Sequence, residues 1–487
     1  MRVVRCLVVL FGLLASVAAH ASPNVALDDP RYDELATYLA NRLLPLYRGG
    51  SGQLTERRMR KLLVTRALPR EGWLRFDRAR IRAAFDADRP RPYSTSYRTR
   101  QIAGNVAITC EHNEGRPCDG TGVLGEIDGS AGLGDYVSGT LRVRTNAGTQ
   151  GYDPTVAIDR LYVNSEIGPV AFELGRDVLV LGPRGRTQLG WGDHAPAIDH
   201  VRASTSEPFR LTDSVSVNAH YAVARLRDPQ TFPGGLLTLS RVQFDFADIA
   251  EFGVQQLVML GGDGAPPIGG PIDFVLEHIR RGQFSGVNDS SNRRFGGDFS
   301  WLIRELRGAR LYYQLMFEDI RKARWIDAVR YDADHLLGVE LASLGRHAVT
   351  VEYHQTGIRS QEHGIRVTGL TNAGRVGGSP LGPAAKSFFV GGRIAMPHRL
   401  TLHPWFERAS LASDTHSFVE YGPITRDVLG RHEFRTRAGS RARVPLGSGF
   451  SLEAEALVEH VTNFGFQRGT ARTNGRLAID LVWRNPR

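Results

Sequence analysis

The sequence predicts a β-class fold: a transmembrane antiparallel β-barrel of about 18 strands, preceded by a small N-terminal periplasmic helical bundle. Three observations predict it. The first 21 of the 487 residues have the layout of an export signal. From about residue 95 onward, short stretches alternate apolar and polar side chains with no helical segment between them. The connections between those stretches alternate between tight turns and long Gly/Pro-rich loops. Hydrocarbon offers no partner to a bare N–H or C=O, so an all-strand chain crosses a membrane only as a closed cylinder. Outer-membrane cylinders pair short periplasmic turns with long external loops.

The elements follow in chain order. MRVVR is a positive start, CLVVLFGLLASVAA an apolar run, and Ala19-His20-Ala21 a small-residue ending before Ser22. This is a signal peptide expected to be removed, and the run is too short to span a bilayer as a helix. Residues 22–92 are expected to be a helical bundle. Asp29 and Pro30 suit an N-cap and first helical position, and Tyr32, Leu35, Leu39 and Leu43 recur at helical spacing. LTERRMRKLLVTRAL (54–68) and FDRARIRAAFDAD (76–88) read as a second and third helix. Three short amphipathic helices need a larger partner to bury their faces.

Residues 93–487 are expected to form the barrel. Its strands are predicted at 97–109, 119–127, 135–146, 154–166, 170–182, 197–210, 214–226, 236–249, 252–262, 293–305, 310–320, 328–344, 347–356, 387–396, 399–409, 432–444, 449–461 and 474–484. Arg and Glu recur at every second position of many of these, the dyad pattern of a strand with one polar face. The last, GRLAIDLVW, ends on Trp483, an interface anchor for a closing strand. With both chain ends in the periplasm, odd-numbered strands run outward. The loop after the fifth strand then lies at the external mouth or folds back into the lumen.

Without the signal, 59 basic side chains face 51 acidic ones, a net charge of +8. Nucleic acid is a poor partner for an exported chain. Acidic polysaccharide or lipid-headgroup phosphates suit that charge, although it also serves solubility. Cys110 and Cys118 remain after Cys6 leaves, and a pair that close in an oxidising compartment reads as a disulfide. A metal site at Cys110, His112 and Cys118 lacks a fourth ligand, so no metal or other cofactor is expected. The sequence has no His-Glu-x-x-His, no Gly-x-Ser-x-Gly and no phosphate loop, so no enzyme is expected.

One segment stands out, FELGRDVLVLGP followed by WGDHAPAIDHVRASTSEPFRL. Here the chain resembles the capsule-assembly Wzi family. Gly182-Pro183 match that family's Gly-rich segment, with Leu181 where a Trp is usual; His194-Ala195-Pro196 match the segment that follows, with His for Asn. The order of signal, helices and barrel resembles the family along almost the whole chain. The resemblance implies an 18-stranded outer-membrane barrel with an occluded lumen. It also implies a non-enzymatic, lectin-like role in holding capsular polysaccharide on the cell. Lipopolysaccharide and the polysaccharide export machinery are further expected partners. A substrate-specific porin is the alternative.

Sugar binding needs an aromatic face and planar polar groups, and acidic sugars favour the bidentate Arg fork. Arg184, Arg186, Trp191, Asp193 and His194 meet those needs within eleven residues. Two plainer readings compete: Trp191 in the external aromatic girdle, with the Arg residues on lipid phosphates, or an Arg186–Asp193 ion pair that pins the loop. TNAGRVGGSPLGPAAK (371–386) and SGVNDSSNRR (285–294) read as plain mobile external loops, with the shaping of a binding surface as the alternative. In HPWFERAS (403–410), one of Trp405 and Phe406 is expected to face lipid.

Overall fold

A computed structural model of the chain describes residues 19–20, 73–86, 121–133, 137–149, 154–182, 186–266, 291–318, 326–412 and 432–484, apart from a few single positions within these spans. Its barrel strands are β1 (Trp73–Asp86), β2 (Gly122–Leu133), β3 (Val137–Gly148), β4 (Thr155–Ile167), β5 (Val170–Asp177), β6 (Ile198–Thr205, resumed at Phe209–Thr212), β7 (Val215–Arg225), β8 (Leu236–Phe246) and β9 (Ala250–Leu260). They continue as β10 (Asn292–Ile303), β11 (Ala309–Phe317), β12 (Ala333–Leu344), β13 (His347–Gln355), β14 (Lys386–Ala395), β15 (Thr401–Ala412), β16 (His432–Gly447), β17 (Phe450–Thr462) and β18 (Ala471–Arg484).

Each strand pairs antiparallel with its sequence neighbours. The sheet closes where Arg78 of β1 pairs with Arg484 of β18 and Asp86 with Arg476. Eighteen antiparallel strands thus form a cylinder without an edge. At one end the connections have two to five residues, as at 168–169, where Gly168 takes φ 57°. At the other end they run from six residues (149–154) to 35 (87–121). The long end is the external one.

The two walls are inverted relative to a soluble protein. Ile127, Val156, Leu161 and Val458 point outward and are 54 %, 78 %, 51 % and 57 % exposed, whereas Arg142, Glu126, Arg160 and Asp177 are buried inside. A wall with that polarity is solvated by hydrocarbon, which makes this an outer-membrane barrel. The lumen charges stand in rows of alternating sign. Arg78 donates to Asp128 (2.8 Å) and Arg144 to Glu126 (2.9 Å), while Arg144 also forms an ion pair with Asp159 (2.8 Å) and Arg160 one with Asp177 (3.1 Å). Across the closing seam, Arg82 meets Glu455 at 3.3 Å. Such pairs offset the cost of desolvating each ion only while both partners are present.

One expected element is corrected. Most of the third helix, 76–88, is strand: residues 76–86 are all but the first three residues of β1. Its sequence carries both periods. Arg78, Arg80 and Arg82 fall on one face at a spacing of two, and lumen acids supply their partners, including Asp480 at 3.7 Å from Arg80. Tertiary pairing overrides the helical propensity of this Ala- and Arg-rich stretch. The barrel therefore begins within the segment assigned to helices. The strand expected at 97–109, the helices expected before Trp73, the signal peptide up to residue 18 and the Cys110–Cys118 pair lie outside the described residues. The other seventeen expected strands coincide with β2 to β18 within a few residues, except that the second runs on to Leu133, the fifth stops at Asp177 and the twelfth starts at Ala333.

Mid-wall positions give a direct check. Val254 of β9 faces outward at 44 % exposure. Val254→Lys is expected to cost about 2–4 kcal/mol of folding stability in bilayers. Ser300→Ala, on the lumen face of β10, should cost less than about 1 kcal/mol. Urea unfolding in liposomes separates the two faces.

Candidate functional site

The fifth strand ends at Asp177 because the next residues no longer alternate: Val178, Leu179, Val180 and Leu181 are all apolar and all buried. A continuous apolar run has no place on a wall with a polar lumen face, so it leaves the sheet and brings its own core. Leu179, Leu181, Leu189, Trp191 and Ala195 pack with lumen-facing Leu237, Leu239, Leu257, Met259, Tyr312, Met316 and Leu336. The segment 178–197 thus folds into the barrel and fills its outer half with an apolar core.

Three contacts set its shape. The Leu181 N–H donates to Trp191 O (3.0 Å), closing the segment on itself. The Leu189 N–H donates to Gln314 Oε1 on β11 (3.1 Å). Arg186 reaches the opposite wall, about half-way round the cylinder from β5. Its N–H donates to Glu352 of β13 (2.8 Å), its guanidinium pairs with Glu407 of β15 (3.0 Å), and that group lies 4.1 Å from the ring centroid of Phe389 on β14. Glu407 also accepts from Ser387 (2.6 Å) and pairs with Arg437 (3.4 Å).

A second segment, 356–385, covers the first. It carries a small hairpin, Thr371–Asn372 against Arg375–Val376. Gly377 lies against the Trp191 ring so closely that a Cβ there would sit 2.2 Å from it, and its carbonyl accepts from Gly192 N (2.9 Å). Asn372 joins three segments: its side chain donates to Pro196 O (2.9 Å) and accepts from Arg227 N (3.0 Å). Gln230 and Thr231 of 226–235 bond Thr371 and Thr368. At its base, Asp334 accepts from Gly357 N and Ser360 Oγ, both at 2.7 Å. Arg294 bridges Asp334 and Glu318, the latter at 3.1 Å.

Two buried carboxylates therefore share one guanidinium. Burial first, and Asp334 after it, raise Glu318 to about 8, against the pull of Arg294 and the Gln361 N–H. The folded value lies above the ordinary 4.5. Its contribution to holding 356–385 is then complete below about pH 4.5 and is lost as pH rises through about 8.

The residues expected from the sequence separate. Arg186, Trp191 and Asp193 all lie inside the lumen, with Arg186 on the far wall and Trp191 against Gly377; Arg184 and His194 lie outside the described residues. Trp191 is only 1 % exposed, which places it in the plug rather than in an external girdle and leaves no face for a ligand while the plug is folded. Asp193 is buried as well. The reading of 371–386 as a mobile loop is corrected: Val376, Ser379, Leu381 and Ala385 are all at most 5 % exposed. Arg294, which closed the other loop stretch, is buried too. Of the aromatic pair on β15, Phe406 faces lipid and Trp405 faces the lumen, stacked on Phe389. Sequence reasoning missed Asn372, Gly377, Gln361 and the Arg294–Glu318–Asp334 cluster. The one local signal for them is a Gly-rich loop that also carries apolar Leu and Val.

The family described as capsule assembly protein Wzi matches residues 94–475. The chain belongs to that family. The solved structure of Escherichia coli Wzi, titled a carbohydrate-binding β-barrel involved in group 1 capsule assembly, is similar at 13 % identity and TM-score 0.67. The match covers 94 % of this chain and 99 % of that one. At that identity the likeness concerns the fold. Pseudomonas aeruginosa OccK5 (OpdH) matches at 10 % identity and TM-score 0.45 over 85 % of this chain and 98 % of its own. A loop-deleted OmpT of Vibrio cholerae matches at 12 % and 0.36 over 85 % and 99 %. Neither of these two carries an argument. No curated protein matches the chain. The matched region of this Wzi-family barrel begins after β1, the strand that closes it.

Two outcomes test the plug. Trp191→Ala removes a fully buried aromatic and is expected to cost about 3–5 kcal/mol. Its loosened plug should appear in planar bilayers as flickering conductance absent from the parent chain. Separately, the temperature of the heat-modifiable mobility shift should fall between pH 6 and pH 9, and Glu318→Gln should flatten that dependence.

Proposed function

We propose that this Wzi-family barrel is a non-enzymatic, lectin-like protein that binds capsular or exopolysaccharide and helps attach or assemble it at the cell surface. One observation carries the reading: the external end of the cylinder is a built surface. Segments 178–197, 226–235 and 356–385 are tied to one another by Asn372, Gln230 and Gly377 and rest on an apolar core. A diffusion pore would need that volume. A surface for a polymer needs rigidity, because many weak contacts repeated along a chain add only if their spacing is held.

On this reading Arg186, Trp191 and Asp193 shape the surface from beneath. Direct contact falls to groups above them; Arg184 and His194 stay candidates on residue type alone. Asp228 and Asp263 are exposed on neighbouring loops, next to half-buried Phe232 and Arg375. Carboxylates and guanidinium groups bridge sugar hydroxyls, and an aromatic edge supplies apolar contact. The export machinery is a further partner of the same reading. So is a helical bundle formed by the residues before Trp73, supported by the apolar spacing of that segment.

Deleting the chain should release polymer into the medium while total polymer stays constant. Asp228→Ala with Asp263→Ala, on an intact plug, should lower cell-bound polymer at least about tenfold, the loss of roughly one hydrogen bond to a charged group per repeat. Full retention on deletion, with a steady open current from the purified protein, would contradict the reading and favour a porin.

A further inference from the structure

On β5 to β7 the upper half of the outer wall is apolar up to its external rim. On β5 the outward residues are Val170, Phe172, Leu174 and then Arg176; on β6, Ala203 and Val201 are followed by Asp199; on β7, Tyr221 and Val223 are followed by Arg225. Parity fixes the direction. Val201 and Leu174 are 39 % and 47 % exposed, whereas the intervening His200, Asp177 and Ala224 are buried against the lumen. Register fixes the height. Arg176 pairs with Asp199, and Asp199 with Arg225, so the three charges form one row across three strands. Its flanks are outward-facing Leu161 on β4 and Leu236 on β8. From Val215 to Arg225 there are eleven residues, the length of a strand that crosses the hydrocarbon. The row therefore lies where the outer leaflet's headgroups begin.

Its charge is unbalanced. Arg176 holds Asp199 in a bidentate pair at 2.6 and 2.8 Å. Arg225 is exposed, and among the described residues its guanidinium has neither ion pair nor hydrogen bond; a Cβ on Gly234 would sit 3.6 Å from it. Just above, Arg227 Nε is buried without a hydrogen-bond partner. Burial, and next the cation of Arg176, pull the Arg227 pKa down from its ordinary value, with Asp199 acting the other way. Asp159, the other acid that acts on Arg227, is held by Arg144 at 2.8 Å. Three guanidinium groups thus meet one carboxylate at the edge of an apolar wall, leaving a surplus of two cations.

We propose that this rim on β5–β7 is a binding site for the phosphate groups of an outer-leaflet glycolipid. The Arg fork matches phosphate in shape and charge. The lateral position favours a lipid over the surface polymer: acyl chains lie along Leu161, Leu174, Val201 and Val163 while the phosphate reaches Arg225 and Arg227. A polymer arriving from outside meets the mouth instead. The inference goes beyond the polymer-binding reading and does not depend on it.

The test uses the detergent-purified full chain and native mass spectrometry, titrated with bis-phosphorylated lipid A, the same lipid A without its phosphates, and inorganic phosphate. The phosphorylated lipid should bind about tenfold more tightly than the dephosphorylated one, the scale of a charge-assisted contact. Arg225→Gln with Arg227→Gln should abolish that preference while the heat-modifiable shift persists. Asp199→Asn, which raises the surplus charge, should enlarge it, and serves if the double variant fails to fold. Equal binding of the two lipids, or a preference unchanged in these variants, would overturn the proposal. Competition by inorganic phosphate at equal concentration would overturn the lipid assignment.

Discussion

Hydrocarbon cannot hydrogen-bond, and that one fact orders the molecule. It demands that every strand be paired on both sides, so eighteen strands close through Arg78 and Arg484. It turns the apolar side chains outward and the ionised ones inward. Inside the cylinder, charges of one sign alone would repel, so the rows alternate: Arg78, Arg80 and Arg82 on β1 face Glu126 and Asp128 on β2, which face Arg142 and Arg144 on β3. The wall is thereby held by lumen electrostatics as well as by its ladder.

The plug is the place where this logic is reversed. A soluble-type core, with Trp191 at its centre, sits inside a cylinder whose lumen is otherwise ionic. Its burial is worth having because water, not lipid, is the alternative solvent there. Arg186 carries the plug across to Glu407 on the far wall, where its partners are buried and hydrogen-bonded. The charge is expensive to remove on one side only, so the pair specifies position more than it adds stability.

Most of the wall was legible in the sequence because a period of two is a local signal and the turns are marked by Gly and Pro. It failed at 76–88, where Ala and Arg satisfy helical and strand periods equally and only distant acids such as Asp128 and Asp480 decide. The candidate site was legible in part. Trp191 and Arg186 were found by residue type, but their burial depends on Gly377 and Glu407, roughly two hundred positions away. No local pattern reports such a contact. The same holds for 371–386, whose glycines suggested mobility and instead permit close approach.

Segment 178–197 crosses the lumen to the opposite wall. Spin labels on Arg186→Cys and Phe389→Cys, with the native cysteines changed to Ser, measure it directly in liposomes by pulsed electron resonance. Arg186 and Phe389 lie in contact, so the account requires one short, narrow distance distribution. A broad distribution centred near the full width of the barrel would contradict it.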